Sequence, residues 1–200
     1  MLKKLTVVAV LVALVGVAAN SGTLAVFTDA APSNNNTFTT GTLDLKLSDN
    51  NETDLDSVST SVTFTAMAPG DTVTDRIVPK NTGSLALRYA ISASATNADA
   101  KGLKDQLVLT IKTIDVTTPG TPCDNFDGTQ LYTGDTDSTA GKLVGDNTQG
   151  AQAGDRTLAA TASETLCFRV NLPLATGNTF QNATTTVTFT FDAEQTSSNP

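Results

Sequence analysis

From Leu85 to Ala95 one parity is apolar throughout: Leu85, Leu87, Tyr89, Ile91, Ala93 and Ala95. Successive side chains of a strand point to opposite faces, so this spacing puts all six on one side of a sheet. A helix would scatter them around its axis. The same period recurs in Leu43, Leu45 and Leu47, in Val62, Phe64 and Ala66, and in Leu107, Leu109 and Ile111. It recurs again in Leu166, Phe168, Val170 and Leu172, and in Val187, Phe189 and Phe191. Composition points the same way, with roughly one residue in six Thr and the helix formers Glu, Lys, Arg and Gln scarce. Seven or eight such strands with one buried face each predict an all-β, two-sheet antiparallel sandwich of jelly-roll or immunoglobulin type.

The connections carry turn chemistry. Ala68-Pro69-Gly70-Asp71 suits a type II turn, with Pro second and Gly third. Asn81-Thr82-Gly83-Ser84 and Thr176-Gly177-Asn178 supply residues that tolerate positive φ. Phe38 is out of parity with Leu43–Leu47, which places a bulge at Gly41. A short helical turn is expected at Lys101–Asp105.

From Val116 to Thr157 the chain turns to Gly, Asp, Thr, Asn and Pro, interrupted only by Leu131-Tyr132 and Leu143-Val144. This reads as an irregular insertion lying over the sandwich. It contains Cys123, and the other cysteine is Cys167. Cys167 has the opposite parity to Leu166, Phe168 and Val170, so it points away from the core. In an exported chain a Cys123–Cys167 disulfide is expected to tether the insertion to the outer face of that strand.

Export follows from the N-terminus. Lys3-Lys4 precedes an apolar run from Leu5 to Ala19, and small residues lead to Thr23-Leu24-Ala25. That is the order of a signal peptide over residues 1–25, cleaved between Ala25 and Val26, with a cut after Ala19 as the alternative. The run falls short of the ~20 residues a spanning helix needs, which disfavours an uncleaved anchor. Cleavage removes two lysines and takes the formal net charge from −8 to −10. Such a chain repels nucleic acid and anionic membranes. The C-terminal residues 197–200 read as a flexible tail with no sorting or lipid-attachment motif.

Enzyme chemistry finds little purchase. With no histidine, Ser/His/Asp and Cys/His arrangements and His-Glu-x-x-His zinc motifs are excluded, and two thiols are too few for a cysteine zinc site. Acidic groups at Asp49…Glu52…Asp54…Asp56, Asp124…Asp127 and Asp135…Asp137 match no twelve-residue calcium loop and read as solvated turns. No cofactor, metal site or catalytic residue is expected. Asn35-Asn36-Thr37, Asn51-Glu52-Thr53 and Asn182-Ala183-Thr184 are glycosylation sequons, relevant only in a host that glycosylates.

Thr23-Leu24-Ala25-Val26-Phe27-Thr28-Asp29 followed by Phe38-Thr39-Thr40-Gly41-Thr42-Leu43-Asp44-Leu45 resembles the start of the TasA and camelysin family of biofilm-matrix fibre proteins. The likeness continues through Met67-Ala68-Pro69-Gly70-Asp71 and Val78-Pro79-Lys80-Asn81-Thr82-Gly83-Ser84-Leu85. It closes with Asn178-Thr179-Phe180-Gln181-Asn182 and Phe189-Thr190-Phe191-Asp192-Ala193-Glu194-Gln195. It lapses over Val116–Thr157, and Leu24 stands where the family has an aromatic residue. The resemblance implies a secreted jelly-roll subunit, cut by a signal peptidase of the SipW type and similar to archaeal bundling-pilus subunits. Such subunits polymerise head to tail by donor-strand exchange.

On that reading Val26, Phe27, Thr28 and Asp29 are the donor strand, residues 26–37 the donor segment and hinge, and residues 38–196 the sandwich. The expected partners are further copies of the chain, the peptidase and an accessory nucleating or anchoring protein. Main-chain pairing at a sheet edge would supply the affinity and alternate side chains the register. The alternative is that Val26–Thr37 forms the first strand of its own sheet. Two other functions compete. A monomeric module binding Ca²⁺ or glycan is weakened for glycan by the absence of Trp and by only two Tyr. A camelysin-like metalloprotease sits badly with the missing histidines.

Overall fold

The computed structural model describes residues 40–49, 53–56, 67–114, 123–137, 142–197 and 199. The chain divides into Met1–Thr39 and Thr40–Pro200, and the described residues belong to the second unit. The signal segment, the Ala25–Val26 cleavage point, the donor residues Val26–Asp29 and the strand expected at Val62–Ala66 lie outside the described residues.

Two antiparallel sheets form the unit, with only two short 3₁₀ turns among the described residues, Leu103–Asp105 and Asn178–Phe180. The first sheet has the order β1 (Leu45–Ser48), β2 (Thr72–Asn81), β8 (Leu166–Asn171), β4 (Val108–Thr113), β5 (Gln130–Asp135). The second is built around β3 (Leu87–Ala95), with β6 (Lys142–Val144), β7 (Arg156–Leu158) and β9 (Val187–Gln195) all pairing to it. β9 runs along the whole of β3, from Leu87 opposite Gln195 to Ala95 opposite Val187. β7 covers Leu87–Tyr89 and β6 covers Ile91–Ser92, so these two share the other edge of β3 end to end.

The alternating apolar positions meet between the sheets. Ile77, Leu87, Tyr89, Ile91, Leu109, Ile111, Leu166, Phe168 and Val170 are almost wholly buried in one core. Each such side chain contributes roughly 1.5–3 kcal/mol relative to exposure. Asn81 is the polar exception. Fully buried at the end of β2, it donates from Nδ2 to the carbonyls of Leu85 (2.7 Å) and Ala159 (3.0 Å) and accepts from the Gly83 N–H (2.9 Å). A buried amide is tolerated only with its hydrogen bonds made, and here they tie the end of the first sheet to the chain leaving β7.

Two turns show different uses of glycine. Gly70 takes φ +97°, and the Asp71 N–H donates to the Ala68 carbonyl at 2.9 Å, as the Pro-Gly pattern requires. Gly83 is required for space: a Cβ there would lie 2.4 Å from the Thr42 carbonyl oxygen. Positive φ at 176–178 is not found either; it occurs instead at Asn182, φ +55°.

The stretch 116–157 is less separate than its composition suggests. Its described residues supply β5 to the edge of one sheet and β6 and β7 to the other, and Leu143 and Val144 are buried in the core. Three-residue strands have too few positions to display a period, which hides them in the sequence.

Candidate functional site

Cys123 and Cys167 are disulfide-bonded, with their Cα atoms 5.4 Å apart. Cys167 is buried, yet not in the main core: it packs with Cys123, Phe126 and Ile114 in a satellite cluster on the outer face of β8. The Arg169 guanidinium lies 3.7 Å from the centre of the Phe126 ring, and the Lys112 ammonium lies 4.9 Å from it. Registers placing Lys112 opposite Cys167 and Thr110 opposite Arg169 put both cations on that face. The cluster therefore fastens the 123–128 loop to the sheet without any reactive thiol.

Three carboxylates of the sequence-predicted acidic groups are paired with lysines. Asp54 pairs with Lys80 at 2.6 Å, Asp56 with Lys46 at 2.5 Å and Asp137 with Lys104 at 3.2 Å. Among the described residues no three His, Cys, Asp or Glu side chains converge as a metal site. The stronger carboxylate clusters join strands. Tyr89 donates its hydroxyl to Glu164 Oε1 at 2.5 Å while Arg156 Nη2 meets Oε2 at 2.5 Å. Burial, then the Glu164 charge, push the Tyr89 phenol far above its ordinary range, keeping it a neutral donor. Arg88, only 6% exposed, donates to Glu194 at 2.6 Å directly across the β3–β9 ladder.

The edge of β9 is the notable surface. The Thr96 N–H donates to the Thr186 carbonyl and the Thr196 N–H to the Ala86 carbonyl, so even-numbered residues of β9 bond to β3. Alternation then turns the N–H and C=O groups of Val187, Phe189, Phe191 and Ala193 away from β3. No strand covers that edge among the described residues. The same four residues point their side chains inward, and all are only partly buried against the core. Phe189 lies 4.9 Å from Phe168, centroid to centroid, and Phe191 5.9 Å from Tyr89. At nine residues this edge is the longest in either sheet among the described residues.

A cavity of about 710 Å³ opens beside the start of β9. Met67, Leu103, Leu107, Leu172 and Phe180 give its apolar wall, Thr184 and Thr185 lead from it into β9, and Thr176 Oγ1 is buried there without a hydrogen-bond partner among the described residues. Sequence reasoning found none of these residues as a site. They come from three separate connections, and the local signals, the turns at Pro69-Gly70 and Thr176-Gly177-Asn178 and the helical turn at Lys101–Asp105, do not mark a cavity.

Residues 1–200 match the model of a family described as camelysin metallo-endopeptidase. No curated protein matches the chain. The metal implied by that description finds no fitting donor set among the described residues. The sequence has no histidine, both cysteines are oxidised, and Asp54, Asp56 and Asp137 are paired with lysines.

Proposed function

The chain belongs to the camelysin family, and from that premise we propose that it is a secreted structural subunit that polymerises head to tail by N-terminal donor-strand exchange. The observation that carries the reading is the outer edge of β9, where backbone groups without a partner among the described residues coincide with inward, half-covered Phe189 and Phe191. An added strand would complete the backbone hydrogen bonds and cover those rings in one step.

On this reading a signal peptidase of the SipW type frees Val26, which keeps the donor silent until export. The contact is between unlike surfaces, so it propagates into a filament instead of closing a dimer. Such fibres would serve a biofilm matrix or cell-to-cell cohesion at the cell surface, with an accessory protein nucleating or anchoring them. The donor set described above favours a structural subunit over a peptidase.

Electron microscopy of purified chain starting at Val26, beside chain starting at Phe38, tests the reading. Among the described residues every buried core residue lies between Leu47 and Leu172, so the shorter chain retains that core. Filaments from the longer chain and monomers from the shorter are expected. Monomers from both, across salt and pH, would overturn it.

A further inference from the structure

We propose that the cavity beside β9 is the seat of the Val26-Phe27 pair of a second copy, so that the donor segment anchors there and runs parallel to β9. This rests on the strand-exchange reading and adds its address. Four observations carry it.

The first is size and chemistry. At about 710 Å³ the cavity is in the range of roughly 300–1,000 Å³ seen for sites that enclose a ligand, and far larger than packing defects of a close-packed interior. Not one of the side chains lining it is charged.

The second is the match to this one segment. Between Lys4 and Asp44 the chain carries a single charge, Asp29, in a protein of net charge −8. A folded face of another copy would bring acid to the cavity rim, whereas Phe27 brings apolar surface and the cleaved Val26 an apolar side chain with one α-ammonium, which stays at the solvent-open mouth. A Phe buried there would remove on the order of 150–250 Å² from water.

The third is the buried Thr176 hydroxyl, unpartnered among the described residues. Buried polar atoms of folded chains are nearly always hydrogen-bonded, so this one points to a missing group. That oxygen is sealed from water in the free subunit, so Thr176 must turn about χ1 toward the cavity before the backbone N–H and C=O groups of an entering strand pair with it. Leu174 stands 81% exposed beside the same mouth, over the turn at Gly70, where a Cβ would lie 3.4 Å from it.

The fourth is reach and direction. The 14 residues from Val26 to Thr39 span about 46–50 Å when extended. A domain of this size has a radius of gyration of about 15 Å, so the segment can leave its own domain and cross a neighbour's edge. Thr184 and Thr185 line the cavity two residues before β9 begins. A strand lying on the open edge of β9 with its N-terminus toward Val187 therefore ends in the cavity.

The test uses chain starting at Val26 with a photo-crosslinking benzoylphenylalanine in place of Phe27, irradiated after assembly and mapped by mass spectrometry. Intermolecular crosslinks to 103–107 or 172–185 are expected. Filaments whose crosslinks fall elsewhere would overturn the cavity assignment and leave strand exchange standing. Absence of filaments from unmodified chain would overturn strand exchange itself and this inference with it.

A second variant blocks the receiving side. Gly177 has ordinary extended backbone, φ −77° and ψ 167°, and an added Cβ there meets no atom within 4 Å. Gly177→Trp therefore adds bulk at the cavity without straining the fold, and the melting temperature of the chain starting at Phe38 checks this. A drop in filament yield of at least tenfold is expected, with Thr176→Val giving a smaller one. Unchanged assembly by a folded Gly177→Trp chain would overturn the assignment.

Discussion

β3 and β9 are paired residue for residue over nine positions, yet they live in different environments. β3 has neighbours on both edges, and Leu87, Tyr89, Ala90, Ile91 and Ala93 are all buried. Among the described residues β9 has β3 on one side only, and its inward residues remain partly exposed. Their alternation and apolar content do not separate them: Phe189 and Phe191 are as hydrophobic as Leu87 and Ile91. What separates them is the presence of a second neighbour. An inward residue on an edge strand is covered by the opposite sheet but not from the side, so its burial stays incomplete until another strand arrives. Among the described residues this strand pair is thus covered on one side and open on the other.

The largest effect should leave this contrast untouched. Replacing Cys123 and Cys167 together by Ser opens a loop of 44 residues and should cost about 4 kcal/mol in urea unfolding. Filament formation by the chain starting at Val26 should persist wherever the variant stays folded, because the bridge lies on the outer face of β8. Loss of assembly in a folded variant would link the satellite cluster to the interface.

A pair of proline variants divides the two edges of β9. Asp192→Pro removes an N–H that faces β3 and should destabilise the monomer by about 3 kcal/mol. Ala193→Pro removes one that faces outward, so the melting temperature of the chain starting at Phe38 should move little while assembly of the longer chain falls. Equal destabilisation by both would show that the outer edge is already paired.

Tyr89→Phe weakens the finished side. It removes the hydroxyl donated to Glu164, a bond to a charged group worth roughly 1.5–3 kcal/mol. Denaturant unfolding should register that loss while filament yield from folded protein stays constant.

The smallest effect is in acid. Asp146, in the loop after β6, is held down to about 2 by the Lys142 ammonium and by the hydroxyl and N–H of Thr148. Its folded value is below the ordinary 3.8, so its stabilising contribution is complete above that pH and is lost as pH falls toward 2. Asp146→Asn should therefore flatten the acid side of the stability profile between about pH 4 and 2. A profile identical to the parent would show that the pairing contributes nothing in solution.

Five strands were legible because each lay in a run of three or more alternating apolar residues: β1, β3, β4, β8 and β9. β2 was not, although it is interior to its sheet. Asp75 falls on its inward parity, half-buried, where burial pushes its carboxyl above the usual range against the hydrogen bond from the Arg76 N–H. Pro79 interrupts the pattern as well. It is accommodated because β8 stops at Leu166, opposite Ile77, so its missing N–H breaks no rung of the ladder. The outward direction of Cys167 was legible from parity alone. The Arg88–Glu194 and Tyr89–Glu164–Arg156 contacts were not, since each joins residues whose adjacency depends on strand order.

By itself the sequence determined the class of fold, the buried face of its longest strands, the partner of each cysteine and the family to which the chain belongs. These are local or nearly forced: a period of two allows only strands, and two cysteines allow only one bridge. Which strand lies at an edge, and where connections distant in sequence enclose a cavity, was decided by tertiary structure alone. Edges and cavities are relations between segments. Nothing in Val187–Gln195 records that the described residues give it one neighbour only, and nothing in Thr176 records that its hydroxyl meets no partner among them.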